Sequence, residues 1–527
     1  MAQFWLVVLD TTGIQGYVFG SNRLRENVGG SHLVHLATEG WLHESPATLL
    51  PARHNIVSGA RSDAARIERG ELDAELIYAG GGNTVLLFSR PEDARRFASA
   101  LSTRVLCEAP GLEAVLVSEP FDWDGSLAQA MHSAMQKLAA KKAEREWSHP
   151  LLGLGVTAAC QSTGLPANWE EPEPGEADRK RIISAEVAAK WGQNEPAKRR
   201  LKRVLYQDQE PPFNLPNEFE DLGRSEGEVS YIAVVHADGN GMGKVLEQIQ
   251  AKFANQTGES NRRYIEKIRN FSDKANCAGV KALHAVVEQV EKWKTAGTIS
   301  AQGNYLPLRP LVYGGDDVTF VCDGRIGLAT AQAYLAAFAR QLIPDAEGQE
   351  LGGNAAAGVA IVKVRYPFAR AYQLSERLCK NAKDAWERKV PALDWHLAQS
   401  GLFGGLGEIR ALEYGEKRDG ERIQSSLLTR PLALEAPSEG DWRTWANFTT
   451  LLTTFQDRQA WPRNKVMALR EALRDGTDAV ESFCANYLNK DLPAITTLAT
   501  EYQRTGWAEG RCAYFDAIEM IDQEVPA

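Results

Sequence analysis

The 527-residue chain lacks a cysteine framework, a long apolar run and a basic charge balance. Its seven cysteines (107, 160, 277, 322, 379, 484 and 512) stand singly, with no C-x-x-C pair. That excludes a zinc knuckle and points to reduced thiols acting as small hydrophobes. No stretch approaches the roughly 18 uninterrupted apolar residues of a spanning helix, so no membrane partner is expected. The opening run to Asp10 has neither a basic flank nor a small-residue cleavage site. It reads as a first β-strand, and a cytoplasmic location is expected. A formal net charge of −10 excludes general polyanion binding, and no DNA partner is expected. Nucleotide or RNA contacts must then come from local basic clusters. The densest, Lys198-Arg199-Arg200 with Lys202 and Arg203, reads as a solvated helix face.

What is present is an ordinary globular composition, 44% hydrophobic and 24% charged, in a chain long enough for about three to four domains. Two segments share one order of parts. The first opens with the apolar strand Trp5 to Asp10 and reaches a strand-turn-strand, Leu76 to Phe88, through Gly80-Gly81-Gly82-Asn83. The second opens with Tyr231 to Asp238, passes Gly239-Asn240-Gly241-Met242-Gly243-Lys244 into a helix, and reaches Leu311 to Val321 through Tyr313-Gly314-Gly315-Asp316-Asp317. Asp10 precedes Gly82 by about 72 residues and Asp238 precedes Asp316 by about 78, which points to duplication. Each segment continues with a helix (Glu92 to Leu106; Gly327 to Leu342), a strand (Leu112 to Val117; Ala355 to Val364) and a helix (Leu127 to Lys142; Ala369 to Lys383). The pattern predicts an α+β protein with two ferredoxin-like palm domains of the nucleotidyl-cyclase type and a C-terminal α-helical domain. The expected boundaries are a degenerate first palm over 1–150, a linker or insert over 151–228, a second palm over 229–400, a connecting segment over 401–440, and four or five helices over 441–527. Residues 161 to 228 read as irregular, and the acidic Glu170 to Glu176 stretch as unburied.

Palm-type nucleotidyl transfer needs carboxylates on adjacent strands that hold two divalent metals about 3.5–4 Å apart. Asp238 at a strand end and Asp316 on the neighbouring hairpin tip occupy such places. Because adjacent strand residues point to opposite faces, Asp316 is expected to be the ligand and Asp317 a second ligand or an orienting group. Gly314 and Gly315 allow the tight turn and leave room for a nucleotide. Gly239, Gly241 and Gly243, with Asn240, lead into a helix N-terminus where a triphosphate fits, and Lys244 and Lys383 offer cations to it. His236 reads as a packed or hydrogen-bonded side chain. In the first repeat either Gly82 and Asn83 or Gly81 and Gly82 stand where the hairpin carboxylates would be. Asp10 then lacks a partner: that palm is expected to bind a nucleotide without two catalytic metals.

These residues resemble the polymerase-like large subunit of type III CRISPR effector complexes and its stand-alone relatives. The resemblance rests on Asp238 to Gly243, Tyr313 to Asp317, Ala357 to Ile361 and Ala382-Lys383, with Gly13 to Phe19 and Leu24 to Ser31 echoing the first palm. It implies two ATP molecules between paired palms and a Mg²⁺- or Mn²⁺-dependent synthesis of cyclic oligonucleotides with release of pyrophosphate, in antiviral defence. Asp238, Asp316 and Asp317 carry over as metal-site residues, and Gly30, Ser31, Gly81 and Gly82 as first-palm nucleotide contacts. Regulatory RNA or a small helical protein subunit, docked on helices bearing Trp442, Trp445 and Trp461, are the implied partners. The family's His-Asp nuclease signature and its cysteine-rich zinc module have no counterpart here, as in a compact or stand-alone member. The alternative role is that of a large scaffold subunit in an RNA-guided complex that binds target RNA.

Overall fold

A computed structural model describes residues 3–144, 155–173, 176–222, 231–299, 301, 303–398, 404–419, 422–438, 440–488, 490–495 and 498–526. The chain begins with β1 (Gln3–Thr12), α1 (Ile14–Phe19) and α2 (Leu24–His35). The hairpin β2 (Ala74–Gly80) and β3 (Asn83–Phe88) follows, then α3 (Pro91–Glu108), β4 (Glu113–Asp122) and α4 (Leu127–Glu144). These strands form an antiparallel sheet in the order β2-β3-β1-β4.

The second half repeats the plan. It comprises β5 (Tyr231–Gly239), α7 (Met242–Phe253), α8 (Glu259–Ala296), the hairpin β6 (Leu308–Tyr313) and β7 (Asp317–Asp323), α9 (Gly327–Ala339), β8 (Ala355–Lys363) and α10 (Phe368–Ala385). The strand order β6-β7-β5-β8 matches the first sheet, extended by β9 (Ala392–Leu397), parallel to β8, and by the short β10 (Leu432–Ala433).

Strand alternation explains how the palms are joined. Leu6 and Val8 of β1 enter one buried core, Val7 and Leu9 another. Ala233, Val235 and Ala237 of β5 enter the first of these same cores, Ile232 and Val234 the second. Both faces of both sheets are therefore covered, which is why these strands read as near-continuous apolar runs.

Helix α8 is the largest element the sequence reading left unplaced. Its 38 residues span about 57 Å. An apolar stripe at spacings of three and four, including Tyr264, Ile268, Phe271, Ala275, Ala278 and Ala282, is buried. On its first turns Arg262 and Arg269 reach Glu75 of β2: Arg262 Nη1 donates to its carboxylate at 2.6 Å and Arg269 Nη2 at 2.9 Å.

The segment read as irregular is ordered where it is described. A hairpin, Trp169–Glu173 with Glu176–Ile183, precedes α5 (Ala185–Gly192), whose N-terminus Ser184 caps by accepting from Val187 N–H, and α6 (Asn194–Tyr206). Glu171 lies in the acidic stretch expected to be unburied, yet it is only 4% exposed. Arg181 explains this, bridging Glu171 and the buried Glu26 of α2, each at 2.8 Å. The side chains of 172–176 lie outside the described residues.

After β9 the chain forms α11 (Leu406–Tyr414), α12 (Trp445–Gln456), α13 (Arg463–Asp475), α14 (Thr477–Phe483), α15 (Thr500–Thr505) and α16 (Phe515–Glu519). Trp461 packs edge-on against Phe455, Trp445 against Phe448 and Trp442 against Tyr502. Trp461 is buried in the helical domain, and Trp442 and Trp445 are half-buried there. No helix among the described residues is long and apolar enough to cross a membrane.

Candidate active site

The register of β5 and β7 sets the central geometry. Asp238 and Asp317 are directly paired across the antiparallel ladder, so both side chains leave one face of the sheet. Asp316 lies in the turn. Its carbonyl accepts from Gly239 N–H at 3.2 Å, and its side chain lies so close over Gly239 that a Cβ there would stand 2.9 Å from it. The sequence favours Asp316 as the ligand, with Asp317 as a second ligand or an orienting group; in this register the strand begins at Asp317, directly opposite Asp238, and Asp316 reaches the same place from the turn.

The Asp238 carboxylate raises the proton affinity of the two hairpin carboxyls beside it. Burial and the Asp238 charge push the Asp316 carboxyl up to about 6, and the same two causes push Asp317 upward. His236, buried beneath them, hydrogen-bonds Thr319 Oγ1 at 3.1 Å, and burial lowers its pKa. It is a neutral packing residue. Lys383 of α10 donates to Asp238 Oδ2 at 2.5 Å and to the Gly239 carbonyl at 2.9 Å. It is thus engaged on the Asp238 carboxylate and the backbone beside it.

The first palm repeats this arrangement without the repulsion. Asp10 is paired with Asn83 across β1 and β3, which places Gly82 and Asn83 opposite the hairpin aspartates and resolves the two alignments. The Asn83 amide, with its nitrogen turned to Asp10, donates to both carboxylate oxygens at 3.1 and 3.2 Å. Lys142 of α4 bonds Asp10 as Lys383 bonds Asp238. One charge meets one charge there, and no oxygen set remains for a metal.

A cavity of about 1300 Å³ separates the two hairpins. Asp316, Asp317, Gly314, Gly315 and Gly243 line it from the second palm, and Ser31, Gly81, Gly82 and Asn83 from the first. It exceeds the roughly 300–1,000 Å³ that suits one small molecule, so it has room for more than one. The other expected phosphate contacts are placed elsewhere. Asn240 is bonded through its backbone and side chain to Asn354, Gly241 caps α7 with φ +78°, and Lys244 is exposed on that helix. Gly29 and Gly30 lie within α2, not in a loop, and pack against Lys190 and Tyr17. Ser31 lines the cavity and donates to Leu311 O on the other palm.

The tip of the second hairpin is held by residues of neighbouring helices that the sequence reading missed. Gly315 N–H donates to Asn276 Oδ1 of α8 at 2.9 Å. The guanidinium of Arg200, from the cluster read as solvated, stacks 4.3 Å from the Tyr313 ring centroid and donates to the Tyr313 carbonyl at 3.4 Å. A charge run on a helix looks the same whether it faces water or a cavity, so only its position could reveal this role.

The donor set suits divalent ions. Asp317 Oδ1 is buried 3.3 Å from the His236 ring nitrogen, and three carboxylates share one lysine. Among the described residues no three such side chains form a preformed metal cage. Mg²⁺ does not require one, since one or two carboxylates, waters and substrate phosphates complete its shell.

Fold and site together define a two-palm protein of the nucleotidyl-cyclase fold, with carboxylates on the second palm and a neutralised counterpart on the first. Residues 231–390 match the sequence model of the second palm domain of Cas10/Cmr2, so this part of the chain is similar to that domain. Among solved structures, a Csm1–Csm4 cassette in complex with pppApApA superposes with a TM-score of 0.53 at 14% identity, covering 99% of this chain and 70% of that one. The cassette with cA4 gives a TM-score of 0.50 at 14% identity, over 99% and 70%. With pppApA the TM-score is 0.50 at 14% identity, over 99% and 69%. At that identity the likeness establishes the shared fold. No curated protein matches the chain in sequence.

Proposed function

We propose that this chain is a nucleotidyltransferase that condenses ATP, or another nucleoside triphosphate, into cyclic oligonucleotides between its two palms. The observation that carries this reading is the single cavity bounded by the Gly80–Gly82 turn on one side and by Asp316 and Asp317 on the other. Solved structures of the same fold include Csm1–Csm4 complexes with pppApApA and cA4, which supports adenine nucleotides as substrates.

Asp238, Asp316 and Asp317 are the residues that would hold two Mg²⁺ or Mn²⁺ ions. When bound, such a pair promotes ionisation of a ribose hydroxyl and stabilises charge on the attacked phosphate. The chain's own residues do the positioning. Asn276 and Arg200 fix the hairpin backbone, so Asp316 and Asp317 face the cavity from a held turn. Lys383 neutralises Asp238 until the metals arrive. The first palm seats the second nucleotide, and its Asp10–Lys142–Asn83 set stays chemically silent.

The test is incubation of purified protein with Mg²⁺ or Mn²⁺ and each labelled triphosphate, with and without cellular RNA, followed by chromatography and mass measurement. A cyclic product absent from an Asp316→Ala, Asp317→Ala variant is expected. No product from any triphosphate would overturn the reading. Those solved structures are Csm1–Csm4 assemblies, so a role as the large subunit of an RNA-guided type III CRISPR complex is the second reading. Co-purification of RNA and a partner subunit would favour it.

A further inference from the structure

Helix α6 carries five cations between positions 198 and 203, and the structure divides them. Lys198 pairs with Glu195 at 2.9 Å, and Lys202 pairs with Glu210. Among the described residues no carboxylate bonds Arg199, Arg200 or Arg203. Arg199 and Arg203 are exposed and four positions apart, hence on one helix face.

That face lines cavities. Arg200 and Arg203 border the space between the palms, and with Arg199 they border an adjoining cavity of about 290 Å³. Arg309, at the base of β6, supplies a further charge behind them. It is 1% exposed, and its Nε and Nη1 have no hydrogen-bond partner. A small void beside it is also bordered by Ser31, His32 and Arg200. Burying a guanidinium without a counter-ion is costly unless the site needs its field. Of the nearby acids, Glu108 is paired with Arg104 and Glu195 with Lys198, each at 2.9 Å, which leaves Glu44 and Glu39, the latter beside a His35 ring whose pKa burial lowers. Four arginines therefore converge behind the seat of the first palm with few anions to meet them.

We propose that the arginine face of α6 is the polyphosphate subsite for the nucleotide seated on the first palm, receiving the 5′-triphosphate of a nucleoside triphosphate or of a linear oligonucleotide. The first palm has no metal-binding carboxylate set to hold a triphosphate, so fixed cations must serve there. Arginine forks suit phosphate oxygens better than lysine does, and the exposed positions here are arginine. Arg200 would then join two tasks, since the same side chain holds the Tyr313 carbonyl at the foot of the second hairpin. This inference rests on the proposal that the first palm seats a nucleotide.

Calorimetric titrations with ATP, AMP, inorganic tripolyphosphate and a 5′-hydroxyl RNA oligomer would test it, in EDTA so that metal-dependent binding is silent. Arg199→Gln/Arg203→Gln should weaken ATP and tripolyphosphate binding roughly tenfold or more and leave AMP unchanged. Lys198→Gln/Lys202→Gln removes the same charge from the paired positions and should bind all ligands as the wild type does. Equal losses in both double variants would overturn the proposal, because a general field would then explain binding. Wild-type tripolyphosphate affinity in the arginine variant would also overturn it, as would tighter binding of the RNA than of ATP. Failure of the cyclase reading looks different. No cyclic product would form, while the arginine-dependent ATP site would remain, including in Asp316→Asn/Asp317→Asn.

Discussion

At the scale of single residues, Asp238 and Asp317 stand opposed across one ladder rung, and under the proposed function that opposition joins chemistry to strain. Two carboxylates on one face of adjacent strands repel, and in the metal-free protein burial adds to that cost. Asp317→Asn should therefore raise the thermal midpoint of the metal-free protein while lowering product formation by about 10²-fold or more. Scanning calorimetry in EDTA and a steady-state assay would read the two effects. A variant that is less stable, or fully active, would contradict the assignment. A second residue gives a pH signature away from the site. Burial pushes the Glu171 carboxyl up to about 7 from its ordinary 4.5, against the pull of Arg181. The folded state thus binds more protons than the unfolded state between those values. The contribution of Glu171 is fully present below about pH 4.5 and is lost as pH rises to about 7. Glu171→Gln should flatten that part of the stability profile, measured by urea denaturation from pH 5 to 8. Of this residue-level picture, the aspartates were legible because a carboxylate ending an apolar strand is a local pattern. The pairing of Asp10 with Asn83 was not, since only the strand register chooses between two plausible alignments.

At the scale of elements, the hairpins, their flanking helices and the duplicated order were readable because apolar alternation and helical periodicity are written locally. Helix α8 was not, because its role depends on what it crosses. It leans on the second-palm hairpin through Gly279, where a Cβ would stand 2.2 Å from the Gly315 carbonyl oxygen. Three residues earlier Asn276 holds the Gly315 N–H. Hairpin glycines with φ of +126° and +90° cannot be replaced without strain, but they also cannot hold themselves in place. The helix does that for them. Gly279→Ala should push the hairpin away from the helix, at a stability cost of about 1–3 kcal/mol. Product formation should fall much further than nucleotide affinity, because Asp316 and Asp317 would move relative to Asp238. Separate measurements of kcat and of ATP binding would show the split. Equal losses in both would place Gly279 in general packing only.

At the scale of the whole molecule, the two palms are neither strung on a linker nor merely in contact. Their sheets share both cores, and the strand alternation that sends Val7 one way and Val8 the other sends Val234 and Val235 to the same two destinations. The polar counterpart of that joint is Glu75 on β2, with no exposed surface, which receives Arg262 and Arg269 from α8. The strand carrying it runs directly into the Gly80–Gly82 turn, and the helix carrying its partners runs on to the second hairpin. One carboxylate thereby ties the floor of the nucleotide seat to the element that holds the aspartates. Removing it leaves two guanidiniums short of their shared anion in a buried place, a change that typically costs about 3–5 kcal/mol. Glu75→Ala should lower the urea midpoint accordingly and, at denaturant levels where the fold persists, reduce product formation more than ATP binding. Glu75→Gln keeps the acceptor oxygen and the shape but not the charge, so it should recover part of the stability. Should Glu75→Ala retain wild-type stability and turnover, the palms would be held by their apolar cores alone, and the path from seat to hairpin would have to run through Ser31 and the Leu311 carbonyl instead.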